Sequence, residues 1–216
     1  MAFDAYDDYE QSERVQQWLR KNGVSIIVGV ILGLLLIFGW QQWKGHRADR
    51  LAKAAGEYQA IQVASAQSKA TEVETLTDNL LKDFPDTSYA VFAAGERAQR
   101  AVVAGQLDKA QASLEWAEAH ASDDAMKGLV QVRTAQLRLA QDKAADAIAV
   151  LDRVPADTYK GLAQELRGDA LVKLGRPADA RKAYETAMSA LGASAPQRGV
   201  LQMKLDDLAV AGKQGA

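Results

Sequence analysis

The chain has 216 residues, 48% hydrophobic and 25% charged, with 26 Lys and Arg against 28 Asp and Glu. Nothing in that near-neutral balance predicts a nucleic-acid surface, which would need a basic face. The absence of cysteine excludes a disulfide framework, a thiol nucleophile and a cysteine metal site. The averages conceal an asymmetry: residues 26–38 are all apolar or Gly, while the chain beyond Trp43 is Ala-rich and charged with both signs.

Residues 1–22 read as an acidic leader. They hold five acids (Asp4, Asp7, Asp8, Glu10, Glu13) and three bases (Arg14, Arg20, Lys21), which leaves 23 of each sign for the remainder. Phe3, Tyr6 and Tyr9 recur at spacing three, and Val15, Trp18 and Leu19 follow at helical spacing. This predicts a short amphipathic helix abutting a membrane. The segment is either a docking element for a partner or an acidic solubilising tail.

Residues 23–43 read as a membrane span. A bilayer core of about 30 Å needs roughly 20 helical residues, and Val24 to Trp43 supplies twenty. Trp40 and Trp43 close one end and Trp18 precedes the other, as amphipathic rings at headgroup level do. A cleaved signal sequence would have a short basic leader and a small-residue cleavage site. Here the leader is long and acidic, and "QQWKGHRADR" follows the apolar run, so the expectation is an anchor that is kept. Orientation stays open on charge alone, with Arg14, Arg20 and Lys21 before the span and Lys44, Arg47, Arg50 and Lys53 after it. Gly29 and Gly33 form a GxxxG pair that could seat another membrane helix, in a span where Gly is common anyway.

Residues 44–195 read as helical throughout, without an alternating β-branched run, and their prolines fall at turns or first-turn positions. Three stretches align without gaps: "GQLDKAQASLEWA" from Gly105, "DKAADAIAVLDRV" from Asp142 and "GRPADARKAYETA" from Gly175. In each, a turn residue is followed five positions on by Ala110, Ala147 or Ala180. Nine positions on stands Leu114, Leu151 or Tyr184, and twelve on Ala117, Val154 or Ala187. The spacings of 37 and 33 residues lie near the roughly 34 of a tetratricopeptide unit, in which small residues let two antiparallel helices cross closely. Gly168 and Leu171 precede the third turn as that pattern requires, while Gln164 and Arg167 stand where Trp and Leu are usual. A degenerate first unit is expected over 51–84. Residues 196–216 should supply a capping helix with Val200, Met203, Leu205 and Leu208 on or near its buried side, and a frayed end.

The fold class is therefore all-α: one N-terminal transmembrane helix followed by a tetratricopeptide-like helical-repeat solenoid. No catalytic constellation is read. His46 and His120 lack a partner nucleophile, His120 with Asp123 and Asp124 reads as a solvated helix end rather than a metal site, and no phosphate-binding loop occurs. No cofactor is expected. Stacked helix pairs create a binding surface, whose first-helix positions map to Gln99, Val102 and Val103; to Val132, Gln136 and Leu139; and to Glu165, Asp169, Val172 and Lys173. Such a groove would take an extended or helical apolar segment of another protein. Alternatively, its valines are core or the C-terminal helix fills it.

The order of these features, with "VGVILG" and "GW" in the span, "LRGDAL", "GRPADARKAYETAM" and the terminal "QMKLDDL", resembles the family of ancillary SecYEG translocon subunits. The resemblance implies a type II protein of the bacterial inner membrane, with the leader cytoplasmic and the repeats periplasmic. It implies association with SecYEG and with a membrane-anchored periplasmic chaperone of the parvulin-like class, and a non-enzymatic part in passing nascent secreted chains onward. It also raises an alternative, restraint of a cytoplasmic stress-response regulator through the leader.

Overall fold

The computed structural model describes residues 4–156 and 158–214, with side chains over 16–25, 27–156 and 158–209. The spacing of Phe3, Tyr6, Tyr9 and Val15 in the leader therefore lies outside the described side chains, as do the side chains of the terminal 211–216. The helices are α1 (Asp4–Ala66), α2 (Ala70–Asp83), α3 (Ser88–Val103), α4 (Leu107–His120), α5 (Asp124–Ala140), α6 (Ala144–Leu151), α7 (Lys160–Lys173), α8 (Pro177–Ala190) and α9 (Gln197–Gln214). No strand occurs among the described residues. Two compact units divide the chain, Met1–Ala52 and Lys53–Ala216.

In the first unit α1 is apolar on every face over 27–40, is long enough to cross a membrane, and buries none of its apolar window in protein. Leu36 is 75% exposed, and Val24, Leu35, Ile37 and Phe38 are exposed with it. A helix hydrophobic all round is stable only where its surroundings are also apolar, and in a bilayer its backbone groups are satisfied within the segment. Hydropathy ends this stretch at Trp43. Packing begins later, because Ala54 is the first buried side chain among those described.

The second unit is a row of helix pairs: 53–66 with α2, α3 with α4, α5 with α6, and α7 with α8. The turn inside each pair has one geometry. Ser68, Gly105, Asp142 and Gly175 all have positive φ, between 57° and 71°. The residue after each turn donates its N–H back to a carbonyl five residues earlier: Lys69 to Ala64 at 3.0 Å, Gln106 to Ala101 at 2.8 Å, Lys143 to Arg138 at 2.8 Å and Arg176 to Leu171 at 2.9 Å. This satisfies carbonyls that a helix end would otherwise orphan. The same register places Val73, Ala110, Ala147 and Ala180 five residues beyond the turn, all buried, and Thr77, Leu114, Leu151 and Tyr184 nine beyond, also buried. Ser68 thus forms the internal turn of a unit in the same register as the three legible in the sequence, with Val73 and Thr77 where the others have Ala and a large residue.

Small residues at these crossings let helices approach until backbones nearly touch. At Gly168 a Cβ would collide with the Tyr184 ring of the facing helix, so only Gly admits the large residue of its own pair. Between pairs, α2 packs on α3, α4 on α5 and α6 on α7, while α3 lies on α5 and α5 on α7. The interior falls into three clusters, one over the first two pairs reaching into α5, one over α5 to α7, and one joining α7 and α8 to α9.

One expectation is corrected at α9. Its buried face is Leu201, Leu205 and Leu208, whereas Val200 and Met203 are 50% and 67% exposed. The spacing of four and three keeps 201, 205 and 208 on one side, and Val200 and Met203 lie well round the helix from Leu201.

Candidate functional site

The ten groove positions fall on α3, α5 and α7, at helical spacing on each. Stacking of these three helices brings them onto neighbouring elements, but their environments differ. On α3, Gln99 is exposed, Val102 is half-buried against the core, and Val103 is 81% exposed. On α5, Val132 is 1% exposed and belongs to the interior. Gln136 and Leu139 are half-buried beside it.

On α7 the polar positions are already engaged. Lys204 of α9 donates to Glu165 Oε1 at 2.8 Å and to Asp169 Oδ1 at 2.7 Å. The Tyr184 hydroxyl donates to Asp169 Oδ1 at 2.8 Å, and the Lys204 ammonium stands 5.5 Å from the Tyr184 ring centre. Burial alone would lower the Lys204 pKa, but its hydrogen bonds to Asp169 and Glu165 outweigh that and raise it. Burial, reinforced by Asp169, pushes the Tyr184 hydroxyl up. Lys173 is paired with Asp142 across 2.5 Å, which holds that turn carboxyl below its usual range. Val172 is 43% exposed. The terminal helix therefore engages Glu165 and Asp169, and the groove positions without such a polar contact are Gln99, Val102, Val103, Gln136 and Leu139, with Val172 beside them. Gly29 and Gly33 lie on α1 in the first unit, and a Cβ at either would meet no described atom within 4 Å.

Histidine and its neighbouring acids serve as structural ends. His120 stacks on Trp116 with ring centres 3.9 Å apart, and its Nδ1 lies 2.8 Å from the Trp116 carbonyl. Asp123 caps α5 by accepting from the Met126 N–H at 2.8 Å.

A feature the sequence reading did not assemble is a repeated ion pair between units. Arg97 and Arg167 each stand eight residues before a turn, where the repeat pattern usually has Leu. Arg97 reaches Asp78 at 2.7 Å and Ser113 Oγ at 3.1 Å, and Arg167 reaches Asp152 at 2.5 Å. Both acids stand ten residues beyond the turn of the preceding unit, so one register explains both pairs. Over Arg97, between α2 and α4, opens a cavity of about 720 Å³ whose floor includes Val73, Ala101 and Ala104 and whose rim carries Arg100 and Lys109. A second network ties 53–66 to α3: Tyr58 donates to Glu96 Oε1 at 2.5 Å and Gln62 to Glu96 Oε2 at 2.8 Å. Burial, then the Glu96 carboxylate, pushes the Tyr58 pKa up to about 12. Its sequence signal was faint, since Tyr58 and Glu96 lie 38 residues apart.

Comparison with known proteins places this architecture. The tetratricopeptide repeat-like domain family matches residues 16–210. The ancillary SecYEG translocon subunit of Escherichia coli (strain K12) is 28% identical over 94% of this chain and 98% of its own length. That of Haemophilus influenzae is 27% identical over 96% and 100%, and that of Neisseria gonorrhoeae 25% over 94% and 97%. These matches run through both the apolar helix and the repeats, and the chain belongs to the tetratricopeptide repeat-like domain family, akin over nearly its whole length to proteins named ancillary SecYEG translocon subunits.

Proposed function

We propose that this protein is a non-enzymatic, membrane-anchored adaptor at the Sec translocon. The observation that carries the reading is a relationship covering 94% of the chain to a protein named an ancillary SecYEG translocon subunit. A relationship of that extent takes in anchor and repeat domain together, so it concerns the whole design and not a common module. The physical features agree with it. The uncovered apolar helix supplies an anchor, the stacked pairs supply a face for another chain, and the titratable groups of that face are tied up in structural pairs.

In this reading the protein is a single-pass type II component of the bacterial inner membrane, with its leader cytoplasmic and its repeats periplasmic. The face of Gln99, Val102, Val103, Gln136 and Leu139 receives an apolar segment, from a membrane-anchored chaperone of the parvulin-like class or from nascent secreted chains. The half-buried Val102 and Leu139 would be the anchors, because apolar groups already flanked by protein lose their remaining water on contact. A photoreactive side chain at Val103 or Val102 tests this. Crosslinks to a second protein support it, and crosslinks confined to the chain's own α9 overturn it.

A further inference from the structure

The bases that follow the apolar stretch have no part in the adaptor reading. On a helix, residues three and four apart are neighbours. Lys44 therefore neighbours Trp40, Gln41, Arg47 and Ala48, and Arg47 neighbours Trp43, Lys44, Arg50 and Leu51. Asp49, the single acid of 41–56, is spaced for His46 and Lys53 instead. Lys44 and Arg47 are exposed, and neither has a carboxylate partner among the described residues. Like charges at this spacing repel. The Arg47 guanidinium lies over the Trp43 ring, 5.6 Å from its centre, and Trp43 in turn packs against Trp40 with ring centres 5.6 Å apart. Tryptophans at the end of a span sit at the depth of lipid headgroups. The guanidinium held on Trp43 is thus presented at phosphate level, beside a second cation and with no acid among the described residues to neutralise either.

We propose that Lys44 and Arg47, with the Trp43 ring beneath the guanidinium, bind the phosphate of an anionic phospholipid. Several observations select a lipid over a soluble anion or an acidic protein segment. The site's depth gives lipid a high local concentration, the indole edge matches an acyl-glycerol boundary, and a bridging phosphate relieves the Lys44–Arg47 repulsion. Two cations without an acid favour an anionic headgroup over a zwitterionic one, whose own cation they repel. The inference rests on the reading of 23–43 as a membrane span.

The test uses the purified full-length protein in detergent, titrated with phosphatidylglycerol or phosphatidylcholine of matched chains, with bound lipid counted by native mass spectrometry. Each base near an anionic surface is worth roughly fivefold in affinity. Wild type should hold phosphatidylglycerol at least about tenfold more tightly than phosphatidylcholine. Lys44→Ala with Arg47→Ala should bring the two to near parity. Arg181→Ala with Lys182→Ala, which removes two exposed bases of α8, should leave the preference intact. The proposal is overturned if wild type shows no preference, if both double variants lose it equally, or if inorganic phosphate at equal concentration displaces the lipid. It is also overturned if the Lys44 and Arg47 variant sheds a co-purified protein while its lipid retention is unchanged. Alkaline carbonate extraction separates the two layers of the claim. A wild-type chain washed off membranes refutes the span itself, whereas a chain that stays but shows no lipid preference refutes only the lipid site.

Discussion

Between 27 and 43, α1 turns Leu, Ile, Phe and Trp side chains outward. The interior of the repeat unit is instead built largely from alanine, with Ala90, Ala110, Ala135, Ala147, Ala170, Ala180 and Ala187 all inaccessible. In the first region large apolar side chains stand where no protein covers them; in the second, large ones such as Ile61, Leu80 and Leu137 are covered, and the helix crossings between them are held by small ones. In the first region the favourable partner is the surroundings, so size and apolarity suffice and geometry is loose. In the second the partner is another backbone, and what matters is that nothing projects. Substitutions should therefore obey opposite rules in the two regions: polarity is costly in the first, bulk in the second.

The largest effect should come from polarity in the span. Leu32→Arg with Leu35→Arg near its centre should cost roughly 5–7 kcal/mol of insertion, moving the full chain from pellet to supernatant in carbonate extraction. Retention in the pellet would contradict the anchor. Bulk in the interior comes next. Ala147→Leu should destabilise by about 3 kcal/mol, since the inaccessible crossing has no room. Ala178→Leu on the exposed side of α8 should change little, and thermal melts of the protein in detergent compare the two. Gly168→Ala should behave like Ala147→Leu and recover partly when Tyr184 is also shortened, as neighbours that collide do not add.

Turn conformation carries a smaller effect. Gly175→Ala should cost about 1–2 kcal/mol, because a side chain is strained at positive φ. Ser68→Gly should gain about 1 kcal/mol for the same reason. If the two substitutions shifted the melting temperature in the same direction, the shared-turn account would fail.

The smallest effect is a dependence on alkaline pH. The folded-state pKa values of Tyr58, Tyr184 and Lys204 all lie above their ordinary values of 10.0 and 10.5. Groups shifted upward contribute stability that is full below the unfolded-state value and is lost as pH rises through the folded one. The fold should be insensitive to these groups at neutral pH and weaken from pH 10 upward, with Tyr58 losing its share by about 12. Tyr58→Phe with Tyr184→Phe should flatten that slope, as followed by melting across the alkaline range.

The span and the three aligned turns were legible because their signals are local. An uninterrupted apolar run and a small residue five positions past a turn each lie within a dozen residues. The first unit was harder to read, since Ser68, Val73 and Thr77 occupy the register with atypical side chains that satisfy the same backbone geometry. The groove was legible as positions but not as surface. Val132 and Val103 look alike in sequence, and only the stacking of α5 between its neighbours buries one and leaves the other open. The engagement of Glu165 and Asp169 depends on Lys204, some 35 to 39 residues away, which no local pattern encodes. On α9 a shift of one or two residues in the helical stripe exchanged Leu201 for Val200 and Met203.

The central claim is that this chain works at the Sec translocon as an anchored adaptor. Isolation of the native membrane complex in mild detergent, with its partners identified by mass, tests it most directly. The account predicts recovery of SecYEG components together with a membrane-anchored periplasmic chaperone, and weaker recovery of the chaperone from a Val102→Asp, Leu139→Asp variant that still melts cooperatively. Recovery of a dedicated enzyme complex with no translocon component would contradict it.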